Sequence, residues 1–552
     1  MNPQIGTAGE PVHGPYGPPP EPAAPGTPYG PGLPDAATLR KGPRGHPWLT
    51  LLTVAVGITM VAIDGTIVAI ANPAIQSDLH ASLADVQWIT NGYLLALAVA
   101  LITAGKLGDR FGHRQTFLTG VVGFAASSGA IGLGGSVSLV VTFRVLQGLF
   151  GALLMPAALG LLRASFPPAK LNSAIGIWAA VIGASTAAGP IVGGLLVERA
   201  SWESVFFINV PVGAVALIAG LALLGDHRSD RAPRGFDPLG IVLLSAAMFC
   251  LVWALIKAPQ WGWGNLWTLG FLGAALALFL VFGVWERVPG EPLLPMSMFR
   301  SVPLTAGTVL MVLTAFGFMG GLFFVTFYLQ NVHGLSPVAS GVRLLPLTAM
   351  MVVTSPLAGA LISRVGPRVP LVGSLVVTAA AMFGLSTLTV RSGAATTSLW
   401  FAVLGLGLAP VMVGATEVIV GNAPLRHAGV AGGLQQAAMQ VGGSLGTAVL
   451  GAVMATRVDS VLPRKWAEEK VLPPLPPGQE GRLKSAAEVG AAPVPPGLKA
   501  PVAEAMRQAV HGSFISGMQL AFTCAGIVAV LAAGVAIFTK PGTSEAGPSV
   551  HV

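Results

Sequence analysis

LLTVAVGITMVAIDGTIVAIANPAI, residues 51–75, contains a single charged side chain, Asp64, in an otherwise apolar run. A helix rises 1.5 Å per residue, so this stretch is long enough to cross the roughly 30 Å hydrocarbon core of a bilayer. A carboxylate at that depth is costly, and ionisable residues inside membranes generally mark the working part of the molecule. Asp64 is therefore the first candidate functional residue.

Working outward, the same pattern repeats along the whole chain. Of 552 residues, 53% are hydrophobic and only 9% are charged, against about 25% charged in a typical soluble domain; mean hydropathy is +0.74. Apolar runs predict spans near 48–72, 85–105, 115–134, 138–163, 173–198, 203–224, 238–258, 265–286, 302–330, 339–363, 368–390, 397–422, 428–455 and 514–538, fourteen in all. The expected fold is an all-α polytopic membrane protein. Residues 1–46 are rich in Pro and Gly without apolar periodicity and are expected to be a disordered tail.

Net charge is +8, but the basic residues lie between the apolar runs, so they are read as topology signals and nucleic acid is not expected as a partner. One set of short loops holds Lys106, Arg110, Arg114, Arg163, Lys170, Arg228, Arg231, Arg234, Arg287, Arg300, Arg364, Arg368 and Arg426; the alternate set holds Arg199, Lys257 and Arg391. By the positive-inside rule both termini are cytoplasmic. Residues 456–513, though basic, fall outside, as long loops translocate regardless of charge; their prolines predict an irregular loop with a short helix around Val502–Val510. Cys250 and Cys524 both lie in apolar segments, which leaves no disulfide framework and no CxxC metal site.

An internal repeat divides the chain. Gly105-Lys-Leu-Gly-Asp109-Arg110-Phe-Gly112-His-Arg114 follows the second span, and Gly359-Ala-Leu-Ile-Ser-Arg364-Val-Gly366-Pro-Arg368 follows the tenth. The shared G-x-L-x-x-R-x-G-x-R pattern predicts two six-helix halves, 47–225 and 302–540, with two helices inserted over 237–287 and a tail at 541–552. Paired halves are how many secondary transporters are built, with the substrate path between them. A tight basic turn accounts for the residue types; the repeated spacing points further, to a cytoplasmic gate.

The first copy resembles the cytoplasmic loop signature of the major facilitator superfamily, and fourteen spans resemble its drug:proton antiporter branch of multidrug exporters. Ala62-Ile-Asp64-Gly-Thr66-Ile-Val-Ala69-Ile-Ala-Asn72-Pro73 is similar to that branch's L-D-x-T-I-V-N-V-A-L-P, with Ala69 in place of Asn and Asn72 in place of Leu. Arg144-Val-Leu-Gln147-Gly148 resembles its R-x-x-Q-G. Gly189-Pro190-Ile-Val-Gly193-Gly194 resembles the core of the superfamily's antiporter motif, and Ser201-Trp202-Glu203-Ser204 departs from S-W-R-W by a charge reversal. Counted along their helices, Asp64 lies roughly 24 Å and Arg144 about 21 Å from the inner surface, so the two can share a level. Burial and a neighbouring guanidinium act oppositely on a carboxyl's proton affinity, so a small rearrangement can switch its protonation.

The resemblance implies a proton-coupled antiporter exporting amphipathic drugs or antibiotics across a bacterial plasma membrane, a monomer working with protons and lipids and needing no cofactor. Asp64 and Arg144 would couple the proton, with Glu417 of the twelfth span as a further candidate. An enzyme is not expected: the chain has no G-x-x-x-x-G-K-[ST] and no HExxH. A proton-coupled importer and a non-transporting receptor remain the alternatives. The first would move solute with the proton, and the second would bind without flux.

Overall fold

The computed structural model describes residues 44–81, 83–225, 237–288, 292–424, 427–469, 471–473, 480–495 and 497–541. The expected disordered tail lies outside them apart from its last three residues, as do Arg228, Arg231, Arg234, Arg426 and all but the first residue of the 541–552 tail.

Among the described residues sixteen α-helices follow one another: α1 Pro47–Asp78, α2 Leu83–Phe111, α3 His113–Gly132, α4 Val137–Ser165, α5 Pro168–Arg199, α6 Ser204–Phe207, α7 Asn209–Leu223, α8 Pro238–Trp261, α9 Leu266–Trp285, α10 Val302–Phe327, α11 Pro337–Val365, α12 Arg368–Leu385, α13 Ala394–Gly421, α14 Ala428–Glu468, α15 Glu480–Glu488 and α16 Ala500–Ala536. Lipid offers backbone groups no water, so long segments there must satisfy their own N–H and C=O groups, as helices do. Thirteen helices among the described residues are long and apolar enough to cross a membrane. The remaining long helix, α3, carries His113, Arg114, Ser127 and Ser128 and packs between α4 and α7.

The packing repeats helix for helix. In the first half α1 lies on α5 and α7, α2 on α4, and α3 on α4 and α7; in the second, α10 lies on α14 and α16, α11 on α13, and α12 on α13 and α16. The seam between the halves obeys the same twofold exchange, since α2 meets α14 and α5 meets α11. The inserted pair breaks it, and so does the broad α14–α16 contact, which α5 and α7 do not match. Helix α8 leans on α2 and α14, while α9 is the outlying member and exposes Leu269, Leu276, Leu280, Val281 and Val284. Apolar exposure of this kind is ordinary where the solvent is lipid.

Residues 456–513 differ from the expected irregular loop. Helix α14 runs on to Glu468 through Pro463, α15 follows, and the short helix expected near 502–510 is the first part of α16. Leu462, Trp466, Leu483 and Ala487 bury into a common cluster, Trp466 Nε1 donates to the Pro473 carbonyl at 2.8 Å, and Asn331 Nδ2 donates to the Val489 carbonyl at 2.6 Å. These helices are amphipathic, so a span-length apolar criterion passes over them.

Candidate functional site

Asp64 and Arg144 meet. Both are buried, and Arg144 Nη1 donates to Asp64 Oδ2 at 2.6 Å. The second carboxylate oxygen, Oδ1, accepts from Gln147 Nε2 at 3.0 Å. Arg144 also donates from Nη1 to Gln147 Oε1 at 2.7 Å and from Nε to the Ile89 carbonyl at 3.0 Å, and its guanidinium lies 4.1 Å from the Tyr93 ring centroid. Gln147 Nε2 reaches Ser128 Oγ at 2.9 Å, and Asn209 Nδ2 donates to that same hydroxyl at 2.9 Å. One buried polar node thus ties together α1, α2, α3, α4 and α7.

The sequence reading pairs Asp64 with Arg144 and names Gln147 only as a motif residue, and it misses Ser128, Asn209 and Tyr93. Gln147 was legible in principle, because a residue three along from Arg144 shares its helix face. Ser128 and Asn209 lie on other helices at depths that sequence fixes only loosely. Asn72 takes no part in the node; its Nδ2 lies 3.5 Å from Thr90 Oγ1.

Helix α5 supports α1 through the Gly189-Pro190 motif. Proline has no N–H, so Pro190 leaves the carbonyl one turn back, that of Thr186, without its helical donor. Thr66 Oγ1 is 3.1 Å from that carbonyl and equally far from the Ile63 carbonyl of its own helix, so its one proton serves either acceptor. A side chain on Gly189 would strike the Thr66 hydroxyl, and one on Gly193 would strike Ile67, so both glycines allow α5 to seat against the helix bearing Asp64. Gly194 faces the other way, toward Val338 of α11.

The two repeated motifs lie at one end of the bundle, hereafter the basic face. Gly112 (φ 96°) and Gly366 (φ 77°) both occupy the left-handed region that favours glycine, so this position of the motif makes a turn. Gly105 and Gly359 do something else. A Cβ at Gly105 would collide with the Gly429 backbone of α14, and one at Gly359 with the Asn172 backbone of α5. Each motif therefore closes one side of the seam.

The copies are chemically unequal. Asp109 accepts from the backbone N–H groups of Gly429 at 2.8 Å and Val430 at 3.0 Å, capping the first turn of α14 from across the seam, with His113 Nε2 3.4 Å from its carboxylate. In the second copy Ser363 stands at that position and hydrogen-bonds within its own helix, to the Ala360 carbonyl. Helix α5 opposite it begins Pro167-Pro168, two residues without N–H donors, so less is left there to cap. Arg114 Nη2 donates to the Leu221 carbonyl at 3.1 Å, Arg110 lies over the Phe111 ring, and Arg364 and Arg368 are exposed.

Glu417 is buried in α13 near this face. Arg163 senses both Glu417 and Asp109 electrostatically and donates from Nη2 to the Ala423 carbonyl at 2.6 Å. Sequence reading treated Arg163 only as a loop charge; its place between two carboxylates depends on contact between the halves.

A bundle of two exchange-related six-helix halves, closed by glycine contacts at one face and carrying a buried ion pair in the first half, defines a secondary-transporter fold. The profile of the Major Facilitator Superfamily matches residues 54–447. The chain belongs to that family. It is 68% identical over 505 residues to the tetracenomycin C resistance and export protein of Streptomyces glaucescens, covering 92% of this chain and 94% of that one. It is 32% identical over 495 residues to the multidrug efflux pump LfrA of Mycolicibacterium smegmatis, covering 88% and 95%. Among solved structures, the human organic anion transporter MFSD10 aligns with TM-score 0.60 at 11% identity over 89% of this chain and 99% of that one, a likeness of fold alone.

Proposed function

We propose that this protein is a monomeric proton-driven antiporter that exports amphipathic drugs or antibiotics, tetracenomycin C among them, across the bacterial plasma membrane, with both termini cytoplasmic. The observation that carries the coupling is the Asp64–Arg144 pair, a titratable carboxylate and a permanent cation buried in one node. The export direction and cargo class are supported by the 68% identical relative, whose length is almost wholly covered.

Breaking a buried ion pair by removing one charge costs about 3–5 kcal/mol when the partner is left uncompensated. Here Arg144 keeps the Gln147 side chain, the Ile89 carbonyl and the Tyr93 face after Asp64 is neutralised, so a proton arriving from outside can loosen the α1–α4 contact at smaller cost. Loosening favours the state open to the cytoplasm, in which Asp64 releases its proton inward and the outgoing solute can bind. Asp109, Arg110 and Arg114 with Gly105 and Gly112, and Arg364 and Arg368 with Gly359 and Gly366, form the cytoplasmic gate. Glu417, with Arg163, offers a second titratable group in the other half.

Inside-out proteoliposomes with an acidified lumen test this reading. Tetracenomycin C, lipophilic cations, neutral antibiotics and dyes would be presented outside, and accumulation of the transported solute should collapse on adding a protonophore. Accumulation indifferent to the gradient would reject proton coupling. Solute leaving the lumen together with protons would favour an importer.

A further inference from the structure

A groove of about 590 Å³ opens between the far end of α14, α16 and the α8–α9 turn. Its wall on α14 is formed by Val449, Val453, Arg457 and Ser460, which at helical spacing share one face, apolar in its first half and polar in its second. Leu520 of α16 continues the apolar floor and Trp263 stands at the rim. Counting from Ala428 at 1.5 Å per residue, Val449 lies about 32 Å and Arg457 about 44 Å along α14. On the topology proposed above, the first is at the outer edge of the hydrocarbon and the second among the outer headgroups.

Two observations show that the polar end lacks a partner among the described residues. Arg464, Arg507 and Lys484 pair with Glu468, Glu504 and Asp459, whereas Arg457 has no ion pair among the described residues. The Trp263 indole N–H is shielded from water and meets no acceptor among them either. None of the lining comes from α1–α7, which hold the Asp64 node, so the groove stands apart from the proposed coupling site.

We propose that this groove is a binding site for an anionic phospholipid of the outer leaflet, its phosphate on Arg457 and one acyl chain along Val453, Val449 and Leu520. A zwitterionic lipid would match the apolar floor but bring its own cation beside Arg457, and a soluble anion would match the cation and forfeit the floor. The bound lipid would fill the space between the inserted pair and the second half.

The test uses the purified full-length chain, equilibrated in detergent with equal phosphatidylglycerol and phosphatidylcholine, with tightly held lipid read by native mass spectrometry. Wild type should hold phosphatidylglycerol over phosphatidylcholine by roughly fivefold, the size expected for one basic side chain at a headgroup. Arg457→Gln should bring the ratio to parity, Arg457→Lys should preserve it, and Val453→Trp should reduce both lipids by filling the groove. Full phosphatidylglycerol preference in Arg457→Gln, or wild-type retention of both lipids in Val453→Trp, would overturn the proposal, as would displacement of the held lipid by the exported solute. The readout is lipid, so it stands or falls separately from proton coupling.

Discussion

At the scale of single residues, Asp64 accepts from Arg144 and Gln147, while Arg144 also holds Gln147, the Ile89 carbonyl and the Tyr93 face. Arg144→Ala removes the cation and leaves a buried carboxylate with Gln147 alone, which should cost about 3–5 kcal/mol in thermal unfolding. Arg144→Lys keeps the charge but loses the planar fork that serves Asp64, Gln147 and Ile89 together, so gradient-driven transport should fall with it. Normal transport by the lysine variant would show that charge alone suffices. Thr66→Val tests a quieter contact. It strips the donor from the carbonyl that Pro190 frees, and an unsatisfied buried acceptor costs about 1–3 kcal/mol. The expected result is a lowered unfolding midpoint, and an unchanged one would mean that the Thr186 carbonyl finds another donor.

Between elements, the basic-face seam depends on unequal devices at symmetric positions. Asp109→Asn withdraws a negative charge from the α14 N-terminus, where caps and dipole interactions are each worth about 1 kcal/mol. Amide exchange over residues 428–434 should therefore rise. Ser363→Ala, at the equivalent position, should leave exchange at the start of α5 unchanged, since Ser363 bonds only its own helix; equal responses would contradict the asymmetry. The inserted pair has its own anchor. Lys106 Nζ donates to the Pro292 carbonyl at 2.8 Å, and Glu286, just past the end of α9, accepts from the N–H groups of Leu293 and Leu294. Burial pushes the Glu286 carboxyl up from its ordinary 4.5 to about 7, against the pull of those two N–H groups. The folded state thus holds this proton more tightly than the unfolded state. Its contribution is complete below about pH 4.5 and is lost as pH rises through about 7. Unfolding midpoints measured across that range should decline less steeply in Glu286→Gln than in wild type.

Over the whole molecule, the halves and the inserted pair were legible because span length and the repeated glycine spacing are local properties. The helices over residues 456–513 were hidden because Pro463 and a polar composition argue against a span, although an amphipathic helix tolerates both. The polar node was half legible. Asp64 and Arg144 announce themselves as charges in apolar runs, whereas Ser128 and Asn209 acquire meaning only when α3 and α7 bring them to Gln147. Asp109 was read as one motif residue among several, and its partner lies some 320 positions away at the start of α14. The same global arrangement puts the only charge pair of the first-half node on α1 and α4, so transport energetics should hinge on Asp64. In inside-out proteoliposomes with an acidic lumen, Asp64→Asn should lose solute accumulation while still exchanging labelled for unlabelled solute at equal pH. Accumulation at the wild-type level in that variant would contradict the account.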